Sequence, residues 1–496
     1  MRHSVRRRVG IDQQGCPKCL LSRTCSPIAE GCAMNNRHAR LSRGRSLRML
    51  MITSTIGCLL LTGQHSAAAE PATPSELQEQ IDEVIPAPPI APAAAPSHAD
   101  MSPELAALWR AVQSSPTGDS LFDTWPERLG DSKPGDILEQ RDVTATAGEV
   151  IGAPVGRAQL LKYRSTSANG EPSYGTATLV TPPTAWTGPG TRPVLVDARP
   201  INSLGKRCTP GYVLAHGLLS GGNVSGSSAT DAFPPTAATA LSRGYAVLIP
   251  DHEGPWMAYA EPNVAGQVIL DGIRAVRSLP GAEFADSRVA VGGYSGGGIA
   301  SYATAMLLDE YAPDLTDVVV GVSTGGLVTD NRDIADRFNG NFASGVLLVV
   351  VLAMAREHPE ILGHLNNLAQ WAATSPIKNA CGEVAGPMGV VGIPIDVAAN
   401  IANPLDSDIA EEVFARTDLS DHKSGAPLYI YHAAHDLWIP IEGARVLYRQ
   451  QCARGVPAVF RSEPGEHVTG LGTGFPGSFA WLDARLRGEP ASDECG

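Results

Sequence analysis

The sequence has no excess of basic residues: 38 Lys and Arg stand against 51 Asp and Glu, which gives a formal net charge of −13. Proteins that bind nucleic acid present a basic face to the phosphates, so this balance argues against a nucleic-acid partner. The apolar runs 49–61 and 346–355 are too short to cross a bilayer as helices. The apolar content of 43% is nevertheless that of a globular protein with a large core.

The basic residues are concentrated at the N terminus, where residues 1–69 contain eleven Lys and Arg but two Asp and Glu. Several arginines precede the apolar run 49–61, and Ala67-Ala68-Ala69 follows it. This is the basic region, apolar region and small-residue cleavage site of a secretory signal. We therefore expect residues 1–69 to be a leader, cleavage after Ala69 and an extracellular mature protein. Three later methionines are alternative starts: Met34, Met49 and Met51.

Cysteines are few once the leader is set aside. Four cysteines near the N terminus superficially resemble a zinc knuckle, but no histidine or periodic core surrounds them, which favours a discarded leader: Cys16, Cys19, Cys25 and Cys32. The four cysteines beyond the leader are Cys208, Cys381, Cys452 and Cys495. An even number in an exported chain predicts two disulfides, with three possible pairings. No CxxC or His-rich spacing remains, so the sequence implies neither a metal nor another cofactor.

Strands and helices alternate from about residue 140, which predicts a mostly parallel sheet between helices. The predicted strands are 158–164, 174–181, 193–198, 245–250, 288–292, 317–322, 426–432 and 457–462. Apolar residues at helical spacing predict helices over 265–278 and 297–311. The Ala/Pro-rich residues 70–100 lack periodicity, and we expect 70–118 to be a linker and loose arm.

A long insertion separates the strands at 317–322 and 426–432. It contains helix-like stretches at 346–355 and 359–373 and a Gly/Pro-rich part at 382–405. An insertion of this length in an α/β domain predicts a cap over the active site. The stretch 346–355 fits a buried core helix or a lipid-facing lid equally well. We therefore expect an α/β domain in two parts, 119–326 and 425–496, with a cap at 327–424.

The motif G-x-S-x-G, typical of a nucleophile elbow, occurs twice, around Ser295 and around Ser323. An elbow needs a strand running in, a tight turn between small residues and a helix running out. Ser295 follows the strand at 288–292, lies among glycines and precedes an amphipathic helix. Ser323 follows a strand, but the residues 327–333 after it are polar and lack helical spacing. The context favours Ser295 as the nucleophile and a turn at the strand's end for Ser323.

A serine hydroxyl needs a general base, and the α/β-hydrolase order is Ser, acid, His. Only His467 lies beyond the strand expected to deliver the acid, in the loop after 457–462. Asp436 follows the apolar strand 426–432 and is the favoured acid, with the role of orienting the imidazole. Asp330 and Glu466 are weaker alternatives, and a structural helix cap is the other interpretation of Asp436.

The oxyanion hole should include the backbone N–H of Gly296, the residue after the nucleophile. A second donor should come from the loop after the strand 193–198, within Arg199 to Ser203. The glycines Gly221 and Gly222 offer a looser alternative.

Three segments resemble the secretory lipases of fungi and actinobacteria, the lipase A type. They are Pro250-Asp251-His252-Glu253-Gly254, Ile269 to Ala275 and Val289 to Gly297. The likeness covers roughly 120–487, and the pair D-H-E-G and G-Y-S-G-G is fairly specific.

The resemblance implies an α/β-hydrolase fold with a cap, an acyl-binding tunnel and activity on triacylglycerols and other long-chain esters. It also implies the disulfides Cys208–Cys381 and Cys452–Cys495. The family places a polar oxyanion-hole residue, typically Asp or Gln, six positions before the first of these cysteines. Asn202 stands there, which keeps a polar side chain but changes its type.

Together these observations favour a secreted serine hydrolase that cleaves carboxylic esters as a triacylglycerol lipase, with a lipid or other ester as its only implied partner. A short-chain carboxylesterase is the nearest alternative. A peptidase or amidase of the prolyl-oligopeptidase kind is disfavoured because no propeller-like repeat precedes the catalytic region. A non-catalytic binding protein is disfavoured because Ser, Asp and His all stand in the expected order.

Overall fold

In the computed structural model of the chain, the described residues are 74–91, 101–218, 233–382 and 392–496. The expected leader, its cleavage site and the pair Gly221-Gly222 lie outside these ranges. Nine strands form one sheet: β1 (Ile137–Asp142), β2 (Arg157–Thr166), β3 (Pro172–Thr181), β4 (Val194–Ala198), β5 (Ala246–Pro250), β6 (Val289–Tyr294), β7 (Val319–Gly325), β8 (Leu428–Ala433) and β9 (Ala458–Glu463).

The strand order is β1-β2-β3-β5-β4-β6-β7-β8-β9. The pairs from β1 to β5 at one edge are antiparallel, and the pairs from β5 through β4 to β9 are parallel. Strands β4, β5 and β8 are buried along their whole length, as expected where helices cover both faces. The predicted mostly parallel sheet is confirmed, and all eight predicted strands are present.

Fourteen α-helices are found in the described ranges: α1 (Glu76–Val84), α2 (Pro103–Val112), α3 (Ser120–Asp123), α4 (Thr144–Ile151), α5 (Pro210–His216), α6 (Thr236–Ser242), α7 (Pro262–Arg277), α8 (Gly296–Tyr311), α9 (Asn331–Phe338), α10 (Ser344–Met354), α11 (Asn367–Thr374), α12 (Asp408–Thr417), α13 (Ile441–Ala453) and α14 (His467–Leu486). Apolar side chains of α7, α8 and α13 pack on one face of the sheet. Those of α4, α5, α6 and α14 pack on the other. The sheet therefore lies between two helical layers.

The segment between β7 and β8 contains α9 to α12 and short 3₁₀ turns, and its described residues contain no strand. We call residues 327–424 the cap segment. The stretch 359–373, which the spacing predicts as one helix, is a 3₁₀ turn, Pro359–His364, followed by α11. The break occurs because the Asn366 side chain caps α11 by accepting from the N–H of Ala369.

The expectation of a loose arm at 70–118 is wrong for the described part of that range. Helix α1 begins at a capping box formed by Ser75 and Gln78, and the buried Gln78 amide donates to the carbonyl of Asp396 in the cap segment, at 2.9 Å. Helix α2 buries Leu108 and Trp109 against apolar side chains of the cap segment. Tertiary contacts therefore order a stretch whose own composition is typical of a linker.

Candidate active site

The turn between β6 and α8 has the geometry of a nucleophile elbow. Ser295 lies between the last residue of β6 and the first of α8, with φ 55° and ψ −119°. A non-glycine residue with positive φ is strained and is held there by its surroundings. A Cβ atom on Gly297 would clash with the carbonyl oxygen of Ala198, so the tight approach of α8 to the sheet requires glycine there. The hydroxyl is thereby presented at the N terminus of α8, where the helix dipole favours negative charge.

Three side chains from separate parts of the chain meet at this elbow. His467, the first residue of α14, places Nε2 3.0 Å from the Oγ of Ser295. Its Nδ1 lies 2.6 Å from Oδ2 of Asp436, which stands in the loop after β8. The structure therefore brings together the Ser, His and Asp that the sequence singled out, in hydrogen-bonding sequence.

The carboxyl group of Asp436 is fully enclosed, with no exposed side-chain area. Its Oδ1 accepts from the backbone N–H groups of Trp438 and Ile439, both at 2.9 Å. Burial by itself raises the pKa of Asp436, but hydrogen bonds from His432 and His467 outweigh it and hold the pKa below the usual range. The group is therefore a carboxylate at neutral pH and can stabilise a positive charge on His467.

The loop after β4 lies beside the elbow. Asn202 and Ser295 line the same cavity, and the carbonyl of Ile201 closely approaches Gly296. The buried D-H-E-G segment supports this loop: Glu253 Oε1 accepts from the N–H of Ser203 at 3.0 Å. Burial raises the pKa of Glu253 to about 8, so this support is a neutral carboxylic acid at neutral pH.

The residues weighed as alternatives are occupied elsewhere. Ser323 lies inside β7, fully buried, with its hydroxyl 2.7 Å from that of Ser478, so the expectation of a turn there is wrong. The two glycines of this match pack against bulky side chains, Gly321 against Trp481 of α14 and Gly325 against the rings of Tyr431 and Tyr294. Asp330 caps α9 by accepting from Arg332 and Asp333, and Glu466 caps α14 in the same manner. Neither carboxylate contacts the imidazole of His467 through a described hydrogen bond.

A cavity of about 610 Å³ opens from the Ser295 hydroxyl into the cap segment. Ser295 and His467 stand in its wall, and most other lining side chains are apolar residues of the cap segment, from α9, α10, α11, α12 and the turns between them. Helix α10 lies between a small apolar cluster and the cavity: Val349 packs with Leu204, while Val350 and Val351 line the cavity. A concave apolar space next to a reactive hydroxyl suits a flexible aliphatic group.

The cap segment is attached to the loop after β4. The Arg356 guanidinium is fully buried and donates from Nη1 to the carbonyl oxygens of Leu204, at 2.7 Å, and Trp256, at 3.0 Å. A disulfide between Cys208 and Cys381 lies nearby in the chain, and a second joins Cys452 to Cys495. Both pairings are those implied by the resemblance.

No group of three or more His, Cys, Asp or Glu side chains in the described ranges is arranged to hold a metal ion. Across the same ranges, no helix combines the length and apolar character needed to span a membrane.

The fold and the site define a class of protein, a carboxylic ester hydrolase of the α/β-hydrolase fold, and comparison with known proteins supports this. A sequence model of the secretory lipase family matches residues 228–494, which is more than half of the chain. The chain belongs to the secretory lipase family.

Similar proteins include lipases of bacteria and fungi. A probable inactive lipase of Mycobacterium tuberculosis is 29% identical over 401 residues, covering 78% of this chain and 86% of the relative. Lipase 10 of Candida albicans is 28% identical over 403 residues, covering 77% and 83%. The crystal structure of Candida antarctica lipase A in its closed state superposes with a TM-score of 0.66 at 26% identity, covering 76% of this chain and 88% of that one.

Two parts of the site escaped the sequence analysis. The cavity lining comes from residues scattered through the cap segment, which no motif marks. His432 contacts Asp436 from within β8. Its position four residues before Asp436, in a strand that is otherwise apolar, is the signal that could have drawn attention to it.

Proposed function

We propose that the protein is a secreted lipase that hydrolyses long-chain carboxylic esters, triacylglycerols among them, through an acyl-enzyme on Ser295. The observation that carries the proposal is the 3.0 Å contact between the Ser295 hydroxyl and His467 Nε2 at the wall of an apolar cavity. It joins a nucleophile and its base to a space that fits an acyl chain.

The proposed reaction has two halves. The Ser295 oxygen attacks the ester carbonyl carbon, His467 Nε2 takes the hydroxyl proton and then gives it to the departing alkoxide. Asp436 holds Nδ1–H toward itself and stabilises the imidazolium. A water molecule, deprotonated by His467, then attacks the acyl-enzyme, releasing the carboxylic acid and restoring the serine.

Negative charge develops on the carbonyl oxygen in both halves. The backbone N–H of Gly296, at the N terminus of α8, is the donor that we assign first. Asn202 is assigned as the second contributor because it lines the same cavity as Ser295. The contact between Glu253 and the Ser203 N–H fixes the loop that carries Asn202.

The lipid nature of the substrate is supported by the cavity and by exposed apolar side chains beside the triad. Two exposed apolar side chains flank the triad: Leu437, 69% exposed, beside Asp436, and Val468, 62% exposed, beside His467. Val468 also lines the cavity. Apolar groups beside the triad and along the cavity wall favour an ester whose acyl part is a hydrocarbon chain.

Secretion is supported by family membership, by the two disulfides and by the signal-like N terminus. Expression of the full chain with mass spectrometry of the exported protein tests it. The expected mature protein begins at Glu70; a retained N terminus or a protein left in the cytosol would contradict it.

The catalytic proposal is tested with the wild type, Ser295→Ala and the matched control Ser323→Ala, assayed on p-nitrophenyl acetate, butyrate and octanoate and on an emulsified triacylglycerol. We expect Ser295→Ala to lose about 10⁴-fold or more in kcat and Ser323→Ala to keep it. A p-nitrophenyl alkylphosphonate should modify the wild type at Ser295. Activity retained in Ser295→Ala would refute the nucleophile. A wild type that cleaves only acetate and butyrate would instead be a short-chain esterase.

A further inference from the structure

His432 shares a carboxylate oxygen with His467. Its Nε2 lies 3.2 Å from Asp436 Oδ2, the oxygen that also contacts Nδ1 of His467 at 2.6 Å. The same Nε2 lies 2.9 Å from the backbone carbonyl oxygen of Ile439. The His432 side chain is completely buried in the sheet, so no solvent competes for these contacts.

The partners of Nε2 determine where the ring carries its hydrogen. The Ile439 carbonyl oxygen can only accept, and the Asp436 carboxylate also accepts, so Nε2 must donate. The other ring nitrogen, Nδ1, is buried and has no hydrogen-bond partner among the residues that the structure describes. His432 Nε2 is therefore a hydrogen-bond donor, and its contact with the Ile439 carbonyl oxygen fixes the orientation of the ring.

We propose that His432 is a positioning residue, which orients Oδ2 of Asp436 toward His467 and partly stabilises the negative charge of the carboxylate. This rests on the catalytic roles proposed above for Asp436 and His467. Oδ1 is anchored by two backbone N–H groups, whereas the partners of Oδ2 among the described residues are the two imidazoles. His467 keeps its Nδ1–H directed at Oδ2 while its Nε2 exchanges a proton with Ser295, so His432 is a second donor to Oδ2 that takes no part in the proton transfer.

Other titratable groups around His467 have fixed roles of their own. The Tyr294 hydroxyl donates to the backbone carbonyl of His467 at 2.7 Å, and burial raises its pKa, so it stays neutral. The Glu466 carboxylate accepts from the N–H groups of Thr469 and Val468, which lower its pKa. Glu463 is the last residue of β9, and its charge adds to the electrostatic effects that raise the pKa of Tyr294. Removing His432 leaves these groups in place. A change in the acid limb of kcat/KM therefore reports on the interaction between Asp436 and His467.

The test compares two variants of His432 with a matched control. His432→Leu removes the donor, whereas His432→Gln keeps an N–H at a comparable distance from the backbone. The control, His435→Leu, makes the same change at an exposed histidine nearby. We expect His432→Leu to lower kcat about 10- to 100-fold, the range for a lost hydrogen bond to a charged group, with KM little changed. The acid limb of kcat/KM should move to higher pH, because an uncompensated Asp436 charge stabilises the His467 imidazolium. His432→Gln should restore both, and His435→Leu should match the wild type.

Rates are expressed per site titrated with the alkylphosphonate, so a fraction of misfolded protein does not enter kcat. A folded His432→Leu with unchanged kcat and an unmoved acid limb would overturn the inference, as would a limb displaced to lower pH. His432→Gln behaving like His432→Leu would also overturn it, since a merely structural need for the imidazole would be indicated. Ser295→Ala, measured alongside, separates the two levels: its retained activity refutes the proposed function, whereas its inactivity together with an unaffected His432→Leu refutes only this inference.

Discussion

Filling the cavity from the cap segment should shorten the acyl chains that the enzyme accepts. Ala410 lies on α12 with its side chain in the cavity wall, remote in sequence from the triad. In Ala410→Trp, the indole would occupy space that the far part of a long acyl chain needs. The carbonyl carbon of a short ester would still reach Ser295, because neither the elbow nor the loop of Asn202 is altered.

The magnitude follows from the apolar character of the wall. Each methylene buried in such a cavity is worth about 0.8 kcal/mol, so the wild-type kcat/KM should rise roughly 4-fold per methylene until the cavity is filled. An indole that displaces roughly four methylenes costs a long-chain ester about 3 kcal/mol, a factor of roughly 150 in kcat/KM. Acetate and butyrate esters should lose little.

The assay is kcat/KM for p-nitrophenyl esters from acetate to palmitate. The matched control is Ala415→Trp, which places the same indole on the same helix at an exposed position that does not line the cavity. We expect the control to keep the wild-type profile and Ala410→Trp to reach its plateau at a shorter chain. Equal loss on acetate and palmitate, or the same profile in both variants, would show that acyl chains do not occupy this cavity.

Two further predictions concern stability. Burial raises the pKa of Asp251 to about 7 from an unfolded value of 3.8. Between these pH values the folded protein therefore binds a proton that the unfolded protein does not. The free energy of unfolding should fall as pH rises through this window, by at most about 1.4 kcal/mol per pH unit. Urea unfolding at pH 4.5, 5.5 and 6.5 should show a smaller decline for Asp251→Asn, and parallel curves would contradict the argument. The disulfide Cys452–Cys495 closes a span of 43 residues, for which chain entropy gives about 4 kcal/mol. The variant with Cys452→Ser and Cys495→Ser should lose up to that amount in urea, and an unchanged midpoint would show that α14 and the C-terminal tail need no covalent tie.

The sheet could be predicted almost completely because parallel strands buried on both faces are continuous apolar runs. The strand that escaped is β1, whose sequence Ile-Leu-Glu-Gln-Arg-Asp is mostly polar and which lies at the sheet edge with exposed side chains. Pairing with β2, rather than any pattern of its own, makes it a strand. Helix α9 escaped for a similar reason, since its start depends on the Asp330 cap within a polar stretch.

The residues of the site could be picked out where a backbone constraint leaves a local mark. The elbow leaves one, because the strained φ of Ser295 and the close approach of α8 demand small neighbours. The order of Ser, acid and His then narrows Asp436 and His467 to particular loops. His432 carries no such mark, since its role depends on a distance between side chains that only the folded loop after β8 defines.

The position of the cap segment shows the same limit at a larger scale. Apolar periodicity predicts helices there, but it does not say where they sit, because many arrangements bury similar areas. Specific polar contacts fix their position: the Trp109 indole of α2 donates to the Arg356 carbonyl at 3.0 Å, and the Arg356 guanidinium donates to the Leu204 carbonyl. These hydrogen bonds connect α2 to the cap segment, and the cap segment to the loop that carries Asn202. An unsatisfied buried guanidinium is costly, so breaking the contact between Arg356 and Leu204 would be unfavourable. The position of the cavity wall over Ser295 therefore depends on the conformation of the loop that carries Asn202.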